Sequence, residues 1–375
     1  MVPFDAQKLN RLMDQAGLEL VLACTRHNVR YLTGGYYYHF HANATRMGRT
    51  QYLPFVGVAR KRMEEAFFVC RAEERGQIEA AVPWIFHRVD ALRGTVPAAE
   101  GAIKTVRQLG LAEGVIGVEL PFLPADAFLA LQRGLPKATL VDATPVLDEL
   151  RAVKTHAELA QLRTVYDRVA EAIQAAFSAG KPGITTAEIA RCVEREIGRR
   201  DLAFLYALVC AGPGTLRAPS SARWERGQIL HIDAGGEVGD YLADICRMGC
   251  LGEPSRLARE LHSACIEVQD RVRQRVRAGL PCRELLVEGE RVVAEHRLFQ
   301  YGKFVAHGIG MVSHEQPDIS PTNSRPLEAG MVLSIETEFI HPEVGHVKIE
   351  DAVAVTENGC EGLGDLGRDW HIIPV

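Results

Sequence analysis

Residues 228–248 read QILHIDAGGEVGDYLADICRM, two apolar runs joined by a glycine-containing turn, each run carrying a carboxylate. Apolar runs on either side of such a turn predict a β-hairpin. Asp233 and Asp244 occupy strand positions where valine or leucine is expected, and a buried, unpaired carboxylate is strongly destabilising. The hairpin therefore predicts a site where positive charge compensates buried acids.

A second hairpin repeats this pattern at 332–338 and 347–355, with Glu336 and Glu350 inside its strands. Glu336 follows Asp233 by 103 residues, and Glu350 follows Asp244 by 106. Two predicted helices precede each hairpin, the first pair starting near Thr155 and at a capping box formed by Thr185 and Glu188. A pseudo-twofold repeat of this kind would bring all four acids together.

The first 150 residues have a different organisation, because short apolar runs alternate with helical patterns. A helix is predicted at 5–17, and strands at 20–23, 53–58, 66–70 and 115–118. We place the domain boundary at 145–155. The predicted fold class is α+β, with a smaller α/β domain over residues 1–150 and a larger domain over residues 151–375.

Composition narrows the function classes. A net charge of −5 provides no basic field for nucleic acid or an anionic membrane, so a peptide or small molecule is the expected substrate. No signal segment and no run of about 18 apolar residues is evident, so we expect a cytoplasmic protein. The nine cysteines contain no Cys-x-x-Cys pair and are expected to be reduced thiols.

Four clustered carboxylates raise one another's pKa unless cations compensate them, and divalent metal ions provide that charge. His307, which is flanked by glycine, offers an imidazole to the same cluster. Carboxylate oxygens with one imidazole suit Mn²⁺, Co²⁺, Fe²⁺ or Zn²⁺. We predict two such ions that share bridging acids.

Four segments carry a resemblance to the aminopeptidase P and prolidase group of pita-bread metallopeptidases. They are Asp233 to Arg247, His307-Gly-Ile-Gly with His314-Glu-Gln-Pro317, Gly330 to Glu336, and Val347 to Asp351. The resemblance extends over 151–375 and implies a C-terminal pita-bread fold. The run NVRYLTG at 28–34 also resembles the smaller N-terminal domain of creatinase and prolidase.

The resemblance implies a dimetal hydrolase that cleaves a peptide-like C–N bond, most simply an Xaa-Pro dipeptidase or aminopeptidase, and a homodimer. It implies a catalytic proton carrier at Glu336 and an oxyanion- or substrate-binding group at His314. The implied metal ligands are Asp233, Asp244, His307, Glu336 and Glu350.

Several positions depart from the family pattern. Leu216 occupies the position where relatives carry a substrate-binding histidine. Strand alternation places His231 on the same face as Asp233, where it either replaces that histidine or is a packing residue. Lys348, where many relatives carry arginine, is predicted to be a counter-ion to the acids or a substrate-binding group. The loop GYYYHFH after Gly34 adds further candidates for substrate contact or for a dimer interface. These are Tyr37, His39 and His41 within the run, and Arg46 after it.

Two alternatives remain open. The lost histidine at Leu216 and the aromatic loop favour a creatinase-like or lyase-like enzyme for a small zwitterion. A pita-bread protein without catalysis, which binds a partner, is the other alternative, although such proteins usually lose the metal ligands that this chain retains.

Overall fold

The computed structural model describes residues 2–38 and 52–375. Internal contacts divide the chain into two compact units, unit 1 at Met1–Arg151 and unit 2 at Ala152–Val375. Within the described ranges, no helix combines the length and the apolar character needed to cross a bilayer.

Unit 1 alternates helices and strands around one mixed sheet. The helices are α1 (Ala6–Gln15), α2 (Arg26–Thr33), α3 (Arg75–Ala81), α4 (Thr95–Gln108), α5 (Ala125–Gly134) and α6 (Thr144–Arg151). The strands are β1 (Leu20–Ala23), β2 (Phe55–Ala59), β3 (Arg62–Arg71), β4 (His87–Ala91), β5 (Val115–Val118) and β6 (Thr139–Asp142). The described strands follow the order β4-β3-β2-β1-β5-β6, with β1 antiparallel to β2 and parallel to β5.

Helices cover both faces of this sheet. Leu9 of α1, Leu32 of α2 and Leu147 of α6 belong to one apolar cluster, whereas Ile103 of α4 and Leu131 of α5 belong to a second. Because the sheet is buried on both sides, its inner strands are continuous apolar runs rather than alternating ones. The predicted α/β character of the N-terminal part is thus confirmed, and the run at 28–34 lies mostly in α2, whose C-cap is Gly34.

Unit 2 contains the repeat. Its helices are α7 (His156–Ser178), α8 (Thr186–Gly198), α9 (Arg256–Arg275) and α10 (Cys282–Glu295). Its strands are β7 (Ile184–Thr185), β8 (Ala203–Ala211), β9 (Arg223–Trp224), β10 (Ile229–Val238), β11 (Tyr241–Leu251), β12 (Gly302–Gly308), β13 (Val332–His341), β14 (Gly345–Val355), β15 (Cys360–Leu363) and β16 (His371–Ile373).

The main sheet of unit 2 has the order β12-β13-β14-β11-β10-β8. The second strands of the two predicted hairpins, β11 and β14, are therefore neighbours at its centre, and the two halves flank them symmetrically. The capping box of Thr185 and Glu188 opens α8 as predicted, and Thr155 with Glu158 forms a second one at α7. The sequence pattern did not indicate β8 and β12, which extend the sheet at its two edges.

Strand alternation separates the two faces of this sheet. Ile232 and Ile245 pack in an apolar cluster with α7 and α8, and Ile335 and Ile349 pack in another with α9 and α10. Since neighbouring positions on a strand point to opposite faces, the acids next to these isoleucines lie on the face away from the helices.

Candidate metal centre

Strand register aligns three of the predicted acids in one row across the sheet. Asp233 pairs with Cys246, Cys246 pairs with Glu350, and Glu350 pairs with Glu336. Directly paired residues point to the same face, so the row β10-β11-β14-β13 presents Asp233, Glu350 and Glu336 side by side.

Two further predicted residues share this face. Asp244 lies two positions before Cys246 on β11, and His307 pairs with Ser334, two positions before Glu336. One ligand atom each from Asp244, His307 and Glu350 lies within 4.8 Å of the others. All three residues are at least nine-tenths buried. The structure therefore brings all five predicted metal ligands onto one face of the sheet.

Tyr206 adds a contact that the sequence analysis missed. It pairs with Gly235, and its hydroxyl donates a hydrogen bond to Asp244 Oδ1. A Cβ atom at Gly235 would lie 2.6 Å from the Tyr206 ring, so only glycine lets the ring cross this strand toward Asp244. In the sequence Tyr206 is one aromatic residue in an apolar strand, and nothing there marks it as a partner of an acid.

Lys348 extends into the middle of the acid row. Its Nζ lies 2.8 Å from Asp233 Oδ2, 2.6 Å from Glu336 Oε2 and 2.7 Å from Glu350 Oε2. Its side chain is only 4% exposed, so it acts as a buried counter-ion to three of the acids. Arg217, which follows Leu216, also forms an ion pair with Asp233 Oδ2.

The four carboxyl groups differ in how far nearby positive charge offsets the effect of burial on their pKa. Burial opposes ionisation of Asp233 and Glu336, yet Lys348 and a neighbouring histidine lower the pKa of both carboxyls, that of Glu336 to about 2. Burial and then repulsion from Glu350 raise the pKa of Asp244, and burial and then repulsion from Glu336 raise the pKa of Glu350 to about 7. Positive charge is therefore deficient at Asp244, and Lys348 compensates Glu350 only in part.

The tautomer of His307 indicates what fills that deficit. Its Nδ1 lies 3.1 Å from the carbonyl oxygen of Gly308, which can only accept, so we assign the Nδ1 proton to this bond. Nε2 then lies 3.3 Å from Glu336 Oε1, and although burial opposes protonation, this carboxylate raises the pKa of the His307 ring above its usual value. A lone pair facing a carboxylate requires a proton or a cation between them, so the donor set fits a divalent metal ion.

His314 lies at the edge of the site on a loop that a buried ion pair fixes. Its ring stacks on His307 with centroids 3.9 Å apart, and its residue is exposed. The next residue, Glu315, forms a 2.8 Å ion pair with Lys154, both side chains at most 2% exposed. A Cβ at Gly308 would lie 2.4 Å from the Glu315 carbonyl oxygen, so the glycine after His307 is needed for this loop to approach.

His231 lies on the same face as Asp233, as alternation predicts, but it is fully buried. Its Nε2 is 3.8 Å from Asp233 Oδ2, and its ring contacts the His346 ring at a centroid distance of 4.4 Å. Burial lowers the pKa of His231 to about 3, so the ring is neutral at physiological pH. His231 thus lies beside Asp233, and direct substrate contact remains a prediction.

The remaining substrate-binding predictions fall in or near the N-terminal loop. Tyr37 lines a cavity of about 310 Å³ in unit 1, together with His27 and Tyr52. His39, His41 and Arg46 lie outside the described residues. Leu216 is 62% exposed, so an apolar side chain faces solvent at the position where relatives carry a histidine.

Two family models match the chain. The model of metallopeptidase family M24 matches residues 160–357, more than half of the chain, and the model of the creatinase/prolidase N-terminal domain matches residues 6–153. The chain belongs to metallopeptidase family M24. The predicted pita-bread fold of the C-terminal part and the creatinase-like N-terminal domain are thereby confirmed.

Similar proteins agree with membership of family M24. An uncharacterized peptidase of Staphylococcus aureus is 30% identical over 231 residues, which are 59% of this chain and 65% of that protein. The match thus spans slightly less than two thirds of that relative. The structure of dipeptidase PepE from Mycobacterium ulcerans is 27% identical with a TM-score of 0.81, covering 99% of this chain and 97% of that one.

A further solved structure supports the fold alone. The Xaa-Pro dipeptidase of Bacillus anthracis has a TM-score of 0.84 and 22% identity, over 98% of this chain and 99% of that one.

Proposed function

We propose that this protein is a divalent-metal-dependent hydrolase that cleaves the C–N bond of small peptides, with Xaa-Pro or other dipeptides as its substrates. The row of Asp233, Glu350 and Glu336, together with Asp244 and His307, carries the proposal. These four carboxylates and one imidazole retain the complete ligand set that the family resemblance implies. Membership of family M24 and the likeness to dipeptidase PepE support peptides as the substrate class.

Asp233, Asp244, His307, Glu336 and Glu350 would hold the metal. When bound, divalent metal lowers the pKa of a water molecule toward neutrality and polarises the scissile carbonyl group. The two ions of Mn²⁺, Co²⁺, Fe²⁺ or Zn²⁺, the homodimer and the cytoplasmic location remain predictions from the sequence.

The protein's own groups supply proton transfer and polar contacts. Glu336, which the resemblance implies as the proton carrier, would accept the proton of the attacking water and deliver it to the leaving nitrogen. His314 has a pKa lowered by burial and by His307, so it is neutral and can donate a ring N–H to the developing oxyanion.

His314→Ala is expected to lower kcat by about 100-fold, the lower end of the effect of removing one oxyanion donor, with a smaller change in KM. Because His314 is exposed, the melting temperature should stay close to that of the wild type. Steady-state kinetics on a dipeptide substrate measure this, with exposed His87→Ala as the control. An unchanged kcat would contradict the role of His314.

A second candidate function is supported by Leu216 and Arg217. The missing imidazole at Leu216 and the cation of Arg217 at Asp233 would suit a small zwitterion that carries its own carboxylate. A panel of Xaa-Pro dipeptides, other dipeptides and small zwitterionic amides distinguishes the two. Turnover of the dipeptides supports the peptidase, and turnover confined to the zwitterions supports the second candidate.

A further inference from the structure

The outer side of β4 (His87–Ala91) is an open edge of the unit 1 sheet. Among the described strands, β4 is last in the order and pairs with β3, to which it is parallel. An edge strand presents backbone N–H and C=O groups to which a further strand can bind, and natural edges are commonly protected by proline, lysine or a bulge. The run HRVDA contains no proline or lysine, and its pairing with β3 has no register shift. The edge of β4 therefore lacks these protections.

Two exposed apolar side chains flank this edge. Leu92 is 80% exposed and Phe86 is 77% exposed, the highest values among the large apolar side chains that the structure describes. Single exposed apolar residues are ordinary, but two of them at the two ends of one open strand indicate a contact surface. The four residues of β6, at the opposite edge, include no exposed large apolar side chain.

We propose that β4 pairs in antiparallel fashion with β4 of a second copy of this chain, about a twofold axis at Val89. In this register Arg88 lies opposite Asp90 of the second copy, and Phe86 lies opposite Leu92 of the second copy. Directly opposed residues of an antiparallel pair point to the same face, so they form an ion pair and an apolar contact. The axis repeats each contact, as a twofold interface requires. This inference concerns assembly and does not depend on the proposed hydrolysis.

The charges on β4 select this register. Arg88 and Asp90 are two positions apart and lie on one face of the strand. Asp90 forms an ion pair with Arg75 through Oδ2, so Oδ1 can accept from a second arginine. The buried Nε of Arg88 has no hydrogen-bond partner within the described ranges. Moving the axis by one residue would place Arg88 opposite Arg88 or Asp90 opposite Asp90, and directly opposed like charges are destabilising.

Helix α4 extends the complementarity beside the proposed axis. A Cβ atom at Gly101 would lie 3.4 Å from Val89 Cγ1, so this turn of α4 packs against the centre of β4. A groove of about 530 Å³ between β4 and α4 is lined in part by Glu100 and Lys104, which are one helical turn apart. The twofold axis would bring Glu100 toward Lys104 of the second copy and close this groove.

Sedimentation velocity of the full-length chain over a concentration series measures the assembly, with 41.3 kDa as the mass of one chain. We expect the wild type to associate in pairs. Arg88→Asp and Asp90→Arg should each raise the dissociation constant about tenfold or more, because both ion pairs become repulsive. Lys137→Asp, an equal charge change at an exposed site near β6, should not. A monomeric wild type, or an unchanged dissociation constant in Arg88→Asp, would overturn the proposal.

An equimolar mixture of the Arg88→Asp and Asp90→Arg chains tests the register. Each variant opposes like charges to itself, but the two variants present opposite charges to each other. We expect the mixture to form a heterodimer with about the dissociation constant of the wild type. A mixture that associates no more tightly than either variant alone would overturn the register centred on Val89.

Val89→Cys provides a second measurement on an otherwise native chain. Val89 is the residue that the proposed axis opposes to itself, at a Cβ separation of about 4.5–5.5 Å. A disulfide can form across such a pair, so mild oxidation should link two chains on a non-reducing gel. The wild type is the control, because its cysteines other than Cys360 are buried. Val89→Cys chains that stay unlinked would overturn the proposal, even if the charge variants do not fold.

Discussion

Asp244→Asn is expected to abolish metal binding and to lower kcat/KM by about a thousandfold, because metal provides several kcal/mol of transition-state stabilisation. The amide keeps an oxygen that can accept the Tyr206 hydroxyl proton but removes the charge that a divalent ion requires. Metal content and dipeptide kinetics measure the two effects on the same preparation.

The same substitution should leave the metal-free protein at least as stable as the wild type. Burial, Glu350 and Asp233 raise the pKa of Asp244, so folding is favoured by the protonated carboxyl, and this contribution is lost as pH rises through the raised pKa. The neutral amide avoids that loss. Glu361→Ala, an exposed acid on β15, serves as the control and should retain both metal and activity. Full activity of Asp244→Asn would contradict the metal centre.

Arg247→Ala is expected to destabilise unit 2 by about 3–5 kcal/mol, because several buried acceptors lose their donor and Asp351 loses one of its three arginine partners, the others being Arg273 and Arg368. Arg247 is fully buried, and its Nη1 lies 3.1 Å from Asp351 Oδ1. Its guanidinium also donates to the carbonyl oxygens of Cys246, Glu350, Gly364 and Leu366. Alanine would leave these acceptors without donors beneath the strands that carry the metal ligands.

Urea unfolding followed by tryptophan fluorescence measures this effect. Arg259→Ala removes an exposed ion pair with Glu253 and is the matched control, with an expected change below about 1 kcal/mol. A loss of less than about 1 kcal/mol in Arg247→Ala would show that the pair with Asp351 does not stabilise unit 2.

Strand alternation and the internal repeat made the acid row predictable. Asp233 and Glu336 are acids in apolar strands at matched places in two hairpins. A repeat that pairs β11 with β14 places these acids on the same face of one sheet. Capping boxes such as Thr185 with Glu188 are local signals, and the sequence shows them directly.

Contacts that depend on tertiary structure were not predictable in the same way. Lys348 was expected to be a counter-ion or a substrate group, but only the register of β10, β13 and β14 shows that its flexible side chain reaches three acids at once. Tyr206 contacts Asp244 from β8, an edge strand that the sequence pattern did not reveal. Arg247 follows Cys246 and Asp351 follows Glu350, so both charged residues lie on the apolar face of the sheet, opposite the acid row. Two opposite charges on an apolar face are a signal that could have predicted their pairing.

Divalent metal, held by the acid row and His307, is expected to be required for the hydrolysis of small peptides by this member of family M24. Hydrolysis of a dipeptide panel that includes Xaa-Pro peptides should be measured before chelation, after chelation, and after Mn²⁺, Co²⁺ or Zn²⁺ is restored. The account predicts turnover that is lost on chelation and recovered with metal. Turnover unaffected by complete metal removal, or a metal-loaded protein that hydrolyses none of the dipeptides, would contradict it.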